Sequence, residues 1–355
     1  PIDDIMSNYL ETLRSWSHLA LRHVLWAFKA HPIVTSAGLA VATLAGLKWL
    51  TSTRWSKSTS RIAGTSILIT GANAGIGWET AVQCAEAGAL NIVILCRTAK
   101  TAAEAEKAIK KAARHPHFQV QTVSCDLGSL ESVRQCVQVL AGMDLKYDHL
   151  MLNAGVMMAE QDKTVDGFET HIGVNHFGHF LLTNLVLQHN LLKEHARVVA
   201  VSSNATSLWP RGFDINDLDW KTRTYSVTNA YAASKTANVL MMQELQRRFD
   251  AEGKGRLAFS VHPGFVRTKI TREAAGIAKL FLYLLYPLYW SLSLSPLQGV
   301  QCTLHAATSP DITKIGGTYF NNLRPSWTIS SKHPELAAQL WKISEERTGL
   351  LSHPK

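Results

Sequence analysis

The chain has 355 residues, of which 46% are hydrophobic, and its formal net charge is +9 at pH 7. This length allows one large domain or two ordinary ones, and the apolar content is ample for a buried core. The Lys and Arg residues are scattered and form no arginine-rich tract, which argues against nucleic acid as a partner. An anionic membrane surface or an anionic cofactor fits the charge equally well.

The five cysteines form no C-x-x-C pair, and the fifteen histidines do not cluster at metal-ligand spacing. Cys84, Cys96 and Cys125 lie in predicted core helices or strands, where a thiol behaves as a small hydrophobic group. The pattern is typical of a reducing compartment, and we expect no metal site.

Residues 1–60 differ in character from the rest. Residues 8–30 can form a basic amphipathic helix, and residues 32–50 are apolar or small apart from Lys48. That length is just enough to cross a hydrocarbon core, and the neighbouring Trp49 and Trp55 suit an interface. We expect a retained membrane anchor spanning about 32–50; the alternative is a helix packed on the domain. Slightly denser basic residues after the span favour a cytosolic main domain.

After residue 60, short apolar runs alternate with helical stretches. The runs are 66–70, 91–96, 120–124, 149–152, 197–201 and 258–262, and the helical stretches include 78–87, 102–114 and 231–249. This alternation predicts an α/β fold with a doubly wound parallel sheet (Rossmann) and right-handed crossovers. Since no linker or internal repeat interrupts it, we expect residues 61–355 to form a single domain.

A glycine-rich turn separates the first predicted strand from the first predicted helix. Gly71, Gly75 and Gly77 would let the backbone turn tightly and approach a pyrophosphate at the helix N-terminus. The spacing is G-x-x-x-G-x-G rather than G-x-G-x-x-G, and alone it would be weak evidence. Its position between strand and helix predicts a dinucleotide site.

The second predicted strand ends at Arg97, where an NAD site usually carries an acidic residue. The first acidic residue after this strand is Glu104. Arg97 can pair with a 2′-phosphate, which favours NADP(H) over NAD; the alternative is a solvated strand-end cation. Asp126, with Leu127, and Asn153 follow the next two strands, where ligand contact and turn formation are equally consistent with the residue types.

Tyr231 and Lys235 lie four residues apart in the predicted helix 231–249 and therefore share a face. A free tyrosine has a pKa near 10, and a neighbouring cation favours its phenolate. Alone, the pair is more simply explained as two unrelated residues on a surface helix.

Together these residues resemble the short-chain dehydrogenase/reductase superfamily. The resemblance covers residues 65–268, in the family's order: segment 70–77, Asn153-Ala-Gly155, Asn175, Val201-Ser-Ser203, Tyr231-x-x-x-Lys235 and Pro263-Gly264. Segment 166–183 is similar to the retinol dehydrogenase branch and its relative, the WW-domain oxidoreductase. Leu152 stands where many members have a second Asn, a departure that we expect to be tolerated.

The resemblance implies catalytic roles for four residues. Tyr231 would exchange a proton with the substrate oxygen, and Lys235 would lower the Tyr231 pKa and bond the nicotinamide ribose. Ser203 would hold the substrate oxygen, and Asn175 would position a water linked to Lys235. The implied cofactor contacts are Gly71, Asn73, Gly75, Ile76, Gly77, Arg97, Asp126, Leu127, Asn153, Ala154, Gly155, Tyr231, Lys235, Pro263, Gly264, Val266 and Thr268.

The substrate side is less constrained. Residues 276–297 are strongly apolar and lie where the superfamily has its substrate-binding loop, so we expect a lid at about 265–297 that meets the bilayer surface. A dimer interface is the alternative. Trp209, Phe213 and Trp220 would line the same entrance.

The resulting hypothesis is a membrane-associated NADP(H)-dependent oxidoreductase for a lipophilic alcohol and its aldehyde or ketone, with retinol and retinal leading. A steroid, sterol or polyprenol substrate is the alternative within this class. A NADP(H)-binding scaffold with incidental turnover is the alternative from another class. The anchor suggests the endoplasmic reticulum with the catalytic domain facing the cytosol; mitochondrion and lipid droplet remain open, and the family implies a homodimer.

Overall fold

The computed structural model describes residues 59–158, 160–208, 213–267, 293–326 and 333–350, together with Thr43 and Gly46. From residue 59 onwards, the described residues belong to one compact unit. No helix among the described residues is long and apolar enough to cross a membrane. The predicted span 32–50, apart from Thr43 and Gly46, lies outside them.

Eight strands of the described residues form one sheet in the order β3-β2-β1-β4-β5-β6-β7-β8. Neighbouring strands are parallel except for the β7–β8 pair, which confirms the predicted doubly wound parallel sheet. The strands are β1 Ser66–Thr70, β2 Asn91–Cys96, β3 Gln119–Ser124, β4 Tyr147–Leu152, β5 Leu192–Val201, β6 Leu257–His262, β7 Tyr319–Asn321 and β8 Arg324–Ser326.

The helices that follow these strands cover both faces of the sheet. Their bounds are α1 Gly75–Glu86, α2 Ala99–Ala112, α3 Leu130–Ala141, α4 Thr170–Ile172, α5 His179–Gln188, α6 Val227–Glu252, α7 Pro296–Thr308 and α8 Pro334–Arg347. A π-helical turn, Gly173–Gly178, joins α4 to α5. Short 3₁₀ turns occupy Thr59–Ile62, Asn204–Leu208 and Pro310–Ile312.

Alternation along the strands explains the two layers of core. Ile67 and Ile69 point to one face and pack with α1, α2 and α7, whereas Leu68 points to the other and packs with α3, α5 and α6. Cys84, Cys96 and Cys125 are buried free thiols within these layers, as predicted.

The largest boundary errors concern α6 and β5, whereas α1 and α2 each begin three residues before the predicted helical stretch. Helix α6 begins at Val227 rather than at Tyr231, because the Ser226 side chain caps it by accepting a hydrogen bond from Asn229 N. Strand β5 begins at Leu192 rather than at Arg197, because Leu192 pairs with Tyr147 of β4 although polar residues follow it. In both cases a hydrogen bond extends the element beyond its apolar pattern.

The strand order reverses beside β1: β2 lies on one side and β4 on the other. In doubly wound sheets, the loops that leave the carboxyl ends of such a pair diverge and leave a crevice. This topology positions the candidate site.

Candidate active site

A cleft of about 780 Å³ opens at the carboxyl ends of the strands. It contains, among the predicted site residues, Gly71, Asn73, Gly75, Ile76, Arg97, Asp126, Leu127, Asn153, Ala154, Gly155, Ser203, Tyr231, Lys235, Pro263, Gly264 and Val266. Gly77 and Asn175 lie behind this surface, both buried. Thr268 lies outside the described residues.

The glycine turn is required by geometry. Gly71 and Gly75 have positive φ angles of 69° and 61°, which glycine adopts without steric cost. A Cβ on Gly71 would lie 2.9 Å from Ala154 Cα. A Cβ on Gly77 would collide with Asn153 Nδ2 and would lie 2.5 Å from Gly71 O. Side chains at these positions would therefore collide with Asn153, Ala154 and the turn itself, so the turn requires glycine there.

The first turn of α1 begins directly after this loop. Ala74 precedes this turn and provides no side-chain cap. The first N–H groups of the helix, which have no partner within the helix, therefore lie at the cleft without a capping side chain. Such donors, together with the helix dipole, favour an anionic group. The glycine cradle and these donors fit the pyrophosphate of a dinucleotide.

Thr70 holds the ends of β1 and β4 together. Its hydroxyl oxygen accepts hydrogen bonds from Asn153 N at 2.9 Å and from Ala154 N at 3.0 Å. In return, Asn153 Nδ2 donates to Thr70 O at 3.1 Å. The Asn153 amide is thus used to close the crevice wall.

At the β2 end of the cleft, Arg97 is exposed and has no hydrogen bond or ion pair with any other residue in the described part of the chain. Asp126, at the end of β3, accepts a hydrogen bond from Gly128 N at 2.9 Å through Oδ1. Asp126 Oδ1 therefore stabilises the turn at residues 126–128. Asp126 also lines the cleft, which is compatible with ligand contact.

Tyr231, Lys235 and Ser203 come together at the other end of the cleft. Ser203 is close enough to Tyr231 to lower the pKa of its phenol, and the Lys235 Nζ atom lies 5.8 Å from the centre of the Tyr231 ring. Lys235 is buried and donates to Val201 O at 3.0 Å. The neighbouring Ser202 is buried and donates to Lys235 O at 2.7 Å, whereas Ser203 is only partly buried.

Burial controls the ionisation of this group. It raises the pKa of the Tyr231 phenol, which the Ser203 side chain lowers in part. It also lowers the pKa of Lys235 to about 8. The effect of Lys235 on the pKa of Tyr231 stays a prediction: the ammonium group donates to Val201 O, and burial sets the direction of the Tyr231 shift.

Asn175 lies in the π-helical turn, behind the cleft wall. Its Oδ1 accepts from Val156 N at 2.8 Å, and its Nδ2 donates to Val156 O at 3.0 Å and to Ser234 Oγ at 3.0 Å. Its carbonyl oxygen accepts from His179 Nδ1 at 3.0 Å. π-Helical turns often occur at functional sites, where they re-aim a side chain.

The sequence prediction missed several residues of the cleft, including Met157, Asn204 and His262. His262 accepts from Asn204 N at 3.3 Å, and burial lowers its pKa to about 4. Its position directly before Pro263 and Gly264 at the end of a strand was an available signal.

The prediction that Phe213 and Trp220 line the entrance is wrong. Phe213 is buried in a separate apolar cluster with Phe168 and Phe177, and the Trp220 ring is buried against Tyr225 and Arg223. Large aromatic rings gain more by burial than at an open cleft. Trp209 lies outside the described residues.

The two described ends of the predicted lid lie side by side. Leu294 N donates to Phe265 O at 2.7 Å, and Arg267 N donates to Leu294 O at 3.0 Å. Residues 268–292 lie outside the described residues. The paired ends adjoin the cleft through Phe265 and Val266.

Comparison with known proteins gives a consistent result. A family profile described as short chain dehydrogenase matches residues 65–213. Retinol dehydrogenase 12 of Mus musculus is 38% identical over 291 residues, which cover 82% of this chain and 88% of that protein. Retinol dehydrogenase 14 of Homo sapiens is 34% identical over 342 residues, which cover 90% of this chain and 99% of that protein.

Solved structures share the architecture. An uncharacterized protein from Mycobacterium paratuberculosis is 35% identical, with a TM-score of 0.63 over 81% of this chain and 94% of that chain. A short chain dehydrogenase from Burkholderia cenocepacia, solved in complex with NADP, is 22% identical, with a TM-score of 0.56 over 73% of this chain and 96% of that chain. The second likeness shows the fold alone.

Proposed function

This chain belongs to the short-chain dehydrogenase/reductase superfamily, in its retinol dehydrogenase-like branch, and from that premise we propose that it interconverts a lipophilic alcohol and its aldehyde or ketone with NADP(H). The observation that carries the proposal is the meeting of Tyr231, Ser203 and buried Lys235 in the same cleft as the glycine turn. A retinol-like alcohol or retinal-like aldehyde is the leading substrate, because the most similar curated relatives considered above are named retinol dehydrogenases.

The residues of the cleft fit a nicotinamide dinucleotide. The pyrophosphate would lie over residues 71–77 at the start of α1, where glycines let the backbone approach a ligand closely. Asp126, Leu127 and residues 153–155 would border the nucleoside half, and Pro263, Gly264 and Val266 the nicotinamide half. We extend this half to Thr268 on the sequence alone.

Arg97 would select the phosphorylated cofactor. It is an exposed cation at the end of β2 with no described partner, and no acidic side chain shares its part of the cleft wall at positions 95–98. A guanidinium group binds a phosphate with charge-assisted hydrogen bonds, whereas it offers less to the uncharged ribose of NAD.

Tyr231 would act as the proton carrier. The phenol, whose pKa is raised by burial, can donate a proton to a carbonyl oxygen in reduction, and its phenolate can accept a proton from an alcohol in oxidation. Ser203, which lines the same cleft as Tyr231, would hold the same oxygen. When bound, the nicotinamide supplies or accepts the hydride.

Lys235 and Asn175 would support this transfer. The Lys235 ammonium would bond the cofactor ribose and stabilise negative charge near Tyr231. Asn175 shares the buried region of Gly155 and Lys235: a Cβ on Gly155 would lie 3.1 Å from Lys235 Nζ and 3.3 Å from Asn175 Oδ1. A water held there would lead protons from Lys235 towards solvent.

The lipophilic substrate would enter past apolar side chains. Met157 and Phe265 are exposed large hydrophobic residues, and both contribute to the cleft wall. Exposed apolar groups at a cleft mouth are consistent with an apolar ligand. From the sequence we propose that the lid at about 265–297 meets the membrane surface beside them.

The same sequence reasoning underlies the proposed setting of the protein. Residues 1–60 would carry an amphipathic segment and an anchor at about 32–50, and residues 61–355 the catalytic domain. The anchor would place the domain on the cytosolic side of the endoplasmic reticulum, and the active form would be a homodimer.

The decisive experiment measures NADPH oxidation by the detergent-solubilised protein with retinal, a sterol ketone and a polyprenal in parallel, and with NADH as the cofactor control. We expect turnover of retinal with NADPH preferred. Turnover of only the sterol ketone would indicate a sterol substrate, and turnover of only the polyprenal would indicate a polyprenol substrate. Tight NADPH binding without turnover of any of them would favour a cofactor-binding scaffold.

A further inference from the structure

A buried polar cluster lies behind Tyr231 and has no part in the proton transfer proposed above. It comprises Glu169, His171 and the Tyr225 hydroxyl. Glu169 and His171 are 1% and 0% exposed. The His171 and Tyr231 rings meet edge to face with their centres 6.2 Å apart.

The hydrogen bonds of Glu169 explain how its carboxylate is held in this buried position. Its Oε2 accepts from Ile172 N at 2.9 Å and caps helix α4. Its Oε1 accepts from the Tyr225 hydroxyl at 3.0 Å and lies 2.6 Å from His171 Nδ1. Three donors around one carboxylate compensate for the loss of water.

The partners of His171 determine its tautomer. Met158 N lies 3.0 Å from His171 Nε2, and a backbone N–H can only donate. Nε2 is therefore the acceptor, and the proton of a neutral ring is on Nδ1, where it is donated to Glu169. The His171 ring thus bonds Glu169 on one side and the backbone N–H of Met158 on the other, so it holds Met158 in place relative to Glu169.

Met158 ends the short segment that forms one wall of the cleft. Its other end, Val156, is held on both its N–H and its C=O by the side chain of Asn175. Met157 lies between these two attachments, is 37% exposed and faces the cleft. The segment is thus held at Val156 by Asn175 and at Met158 by His171.

The cluster is also tied to distant parts of the chain. Glu169 N donates to Asp219 Oδ1 at 3.1 Å, and the guanidinium of Arg347 donates to Asp219 Oδ2 at 2.6 Å. Arg347 belongs to α8, so residues far apart in sequence hold Glu169 in place.

We propose that His171 is a positioning residue that fixes the Met157 side chain against the substrate and so determines how the cleft discriminates among lipophilic carbonyl compounds. This inference rests on the proposed function. It assigns substrate discrimination to a buried histidine that contacts neither the cofactor space nor the reacting oxygen.

Two substitutions separate the contacts of His171. In His171→Gln, the side-chain oxygen can reach the position of Nε2 and accept from Met158 N, but the contact with Glu169 is lost. In His171→Asn, the amide nitrogen can replace Nδ1 and donate to Glu169, but the contact with Met158 is lost. His176→Asn is the matched control, because His176 is also fully buried but bonds Ser344 Oγ at 2.8 Å.

The measurement is kcat and KM for retinal and for hexanal, with NADPH affinity from fluorescence quenching. We expect His171→Asn to raise the KM for retinal about fivefold, the order of one neutral hydrogen bond, with kcat and NADPH affinity within about twofold of wild type. The KM for hexanal should change less, because a short chain reaches less of Met157. His171→Gln should keep the wild-type ratio of the two KM values, and His176→Asn should lower only thermal stability.

Hydrogen exchange at the Met158 amide provides a readout that does not need turnover. Exchange should accelerate in His171→Asn and stay slow in His171→Gln. Equal protection in all variants, or unchanged KM values in an active His171→Asn enzyme, would overturn the inference. A wild type that binds NADPH but reduces no lipophilic carbonyl contradicts the proposed function instead, and the exchange result then still decides the role of His171.

Discussion

At the nucleotide end of the cleft, the surface offered to a ligand consists mainly of backbone, whereas at the catalytic end it consists of side chains held by other side chains. Gly71 and Gly75 turn the chain with positive φ angles, and Arg97 stands exposed beside them. Asn175 and Lys235 are 0% and 3% exposed, and both are hydrogen-bonded inside the protein.

This difference separates two kinds of requirement. A pyrophosphate needs close approach and N–H donors, which a glycine-rich turn supplies through local conformation alone. Proton transfer needs a phenol, a hydroxyl and an ammonium group at defined distances, which only packing from several elements can maintain. Substitutions at the nucleotide end should therefore lower cofactor affinity, whereas substitutions at the catalytic end should lower kcat.

The largest effect is expected at the catalytic end. Tyr231→Phe removes the proton donor but leaves the glycine turn intact, so kcat should fall about 10²- to 10⁴-fold while NADPH affinity is retained. Steady-state kinetics and fluorescence titration would measure the two quantities. Tyr147→Phe is the control, since that buried hydroxyl has no partner in the described part of the chain and lies at the opposite end of β4. If Tyr231→Phe lost both kcat and NADPH affinity, the catalytic end and the nucleotide end of the cleft would not be independent.

Gly77→Ala tests the backbone end. The new Cβ would collide with Asn153 Nδ2 and Gly71 O, so the turn must move and NADPH affinity should fall about tenfold or more. Gly142→Ala is the matched control, because its Cβ would meet Val139 O at an ordinary 3.5 Å and its φ is −77°. Unchanged affinity in Gly77→Ala, measured by titration, would show that the turn does not shape the cofactor site.

Arg97→Asp should change cofactor choice rather than rate. Loss of the guanidinium and gain of a carboxylate that can accept from ribose hydroxyls should lower the NADPH-to-NADH ratio of kcat/KM about 10- to 100-fold. Lys110→Glu, at an exposed lysine on α2, is the control because it changes the net charge by the same amount as Arg97→Asp. If the ratio stays the same in Arg97→Asp, Arg97 does not read the 2′-phosphate.

The smallest effect concerns the residue that joins the two ends. His179 Nε2 lies 2.9 Å from the Thr70 hydroxyl, and its Nδ1 donates to Asn175 O. Burial, with a smaller contribution from Lys235, lowers the pKa of His179 to about 4, although its bond to the Asn175 carbonyl opposes the shift. The unfolded chain, with an ordinary pKa near 6.5, binds the proton more readily, so stability falls as pH drops from about 6.5 towards 4.

Between pH 7 and pH 5.5, the free energy of unfolding should decrease by about 1 kcal/mol less in His179→Gln than in the wild type. Urea unfolding at the two pH values measures this difference, and the exposed His189, replaced in the same way, serves as the control. Equal acid sensitivity of wild type and His179→Gln would show that folding does not lower the pKa of His179.

Much of the fold followed from local pattern. The apolar runs predicted β1 and β2 at their observed bounds and β3, β4 and β6 to within two residues at each end, because a strand buried on both faces must be apolar along its length. The apolar pattern did not predict where β5 and α6 begin, because hydrogen bonds extend both elements into polar sequence, at Leu192 in β5 and at Ser226 before α6.

The site divides in the same way. Gly71, Gly75 and Arg97 were predictable because their contributions depend on local backbone conformation or on position at the end of one strand. Tyr231 and Lys235 were predictable as a pair because helical spacing places them on one face. Their ionisation was not, since burial by residues from other elements raises the pKa of Tyr231 against the expected direction.

The sequence by itself thus determined the fold class, the glycine turn and the family, each of which depends on the order and spacing of neighbouring residues. Only the tertiary structure decided that Asn175 and His171 hold the two ends of the Val156–Met158 segment, and that Phe213 and Trp220 are core residues. The physical reason is that these roles depend on partners remote in sequence, such as Asp219 and Arg347, whose approach is set by packing of the whole domain.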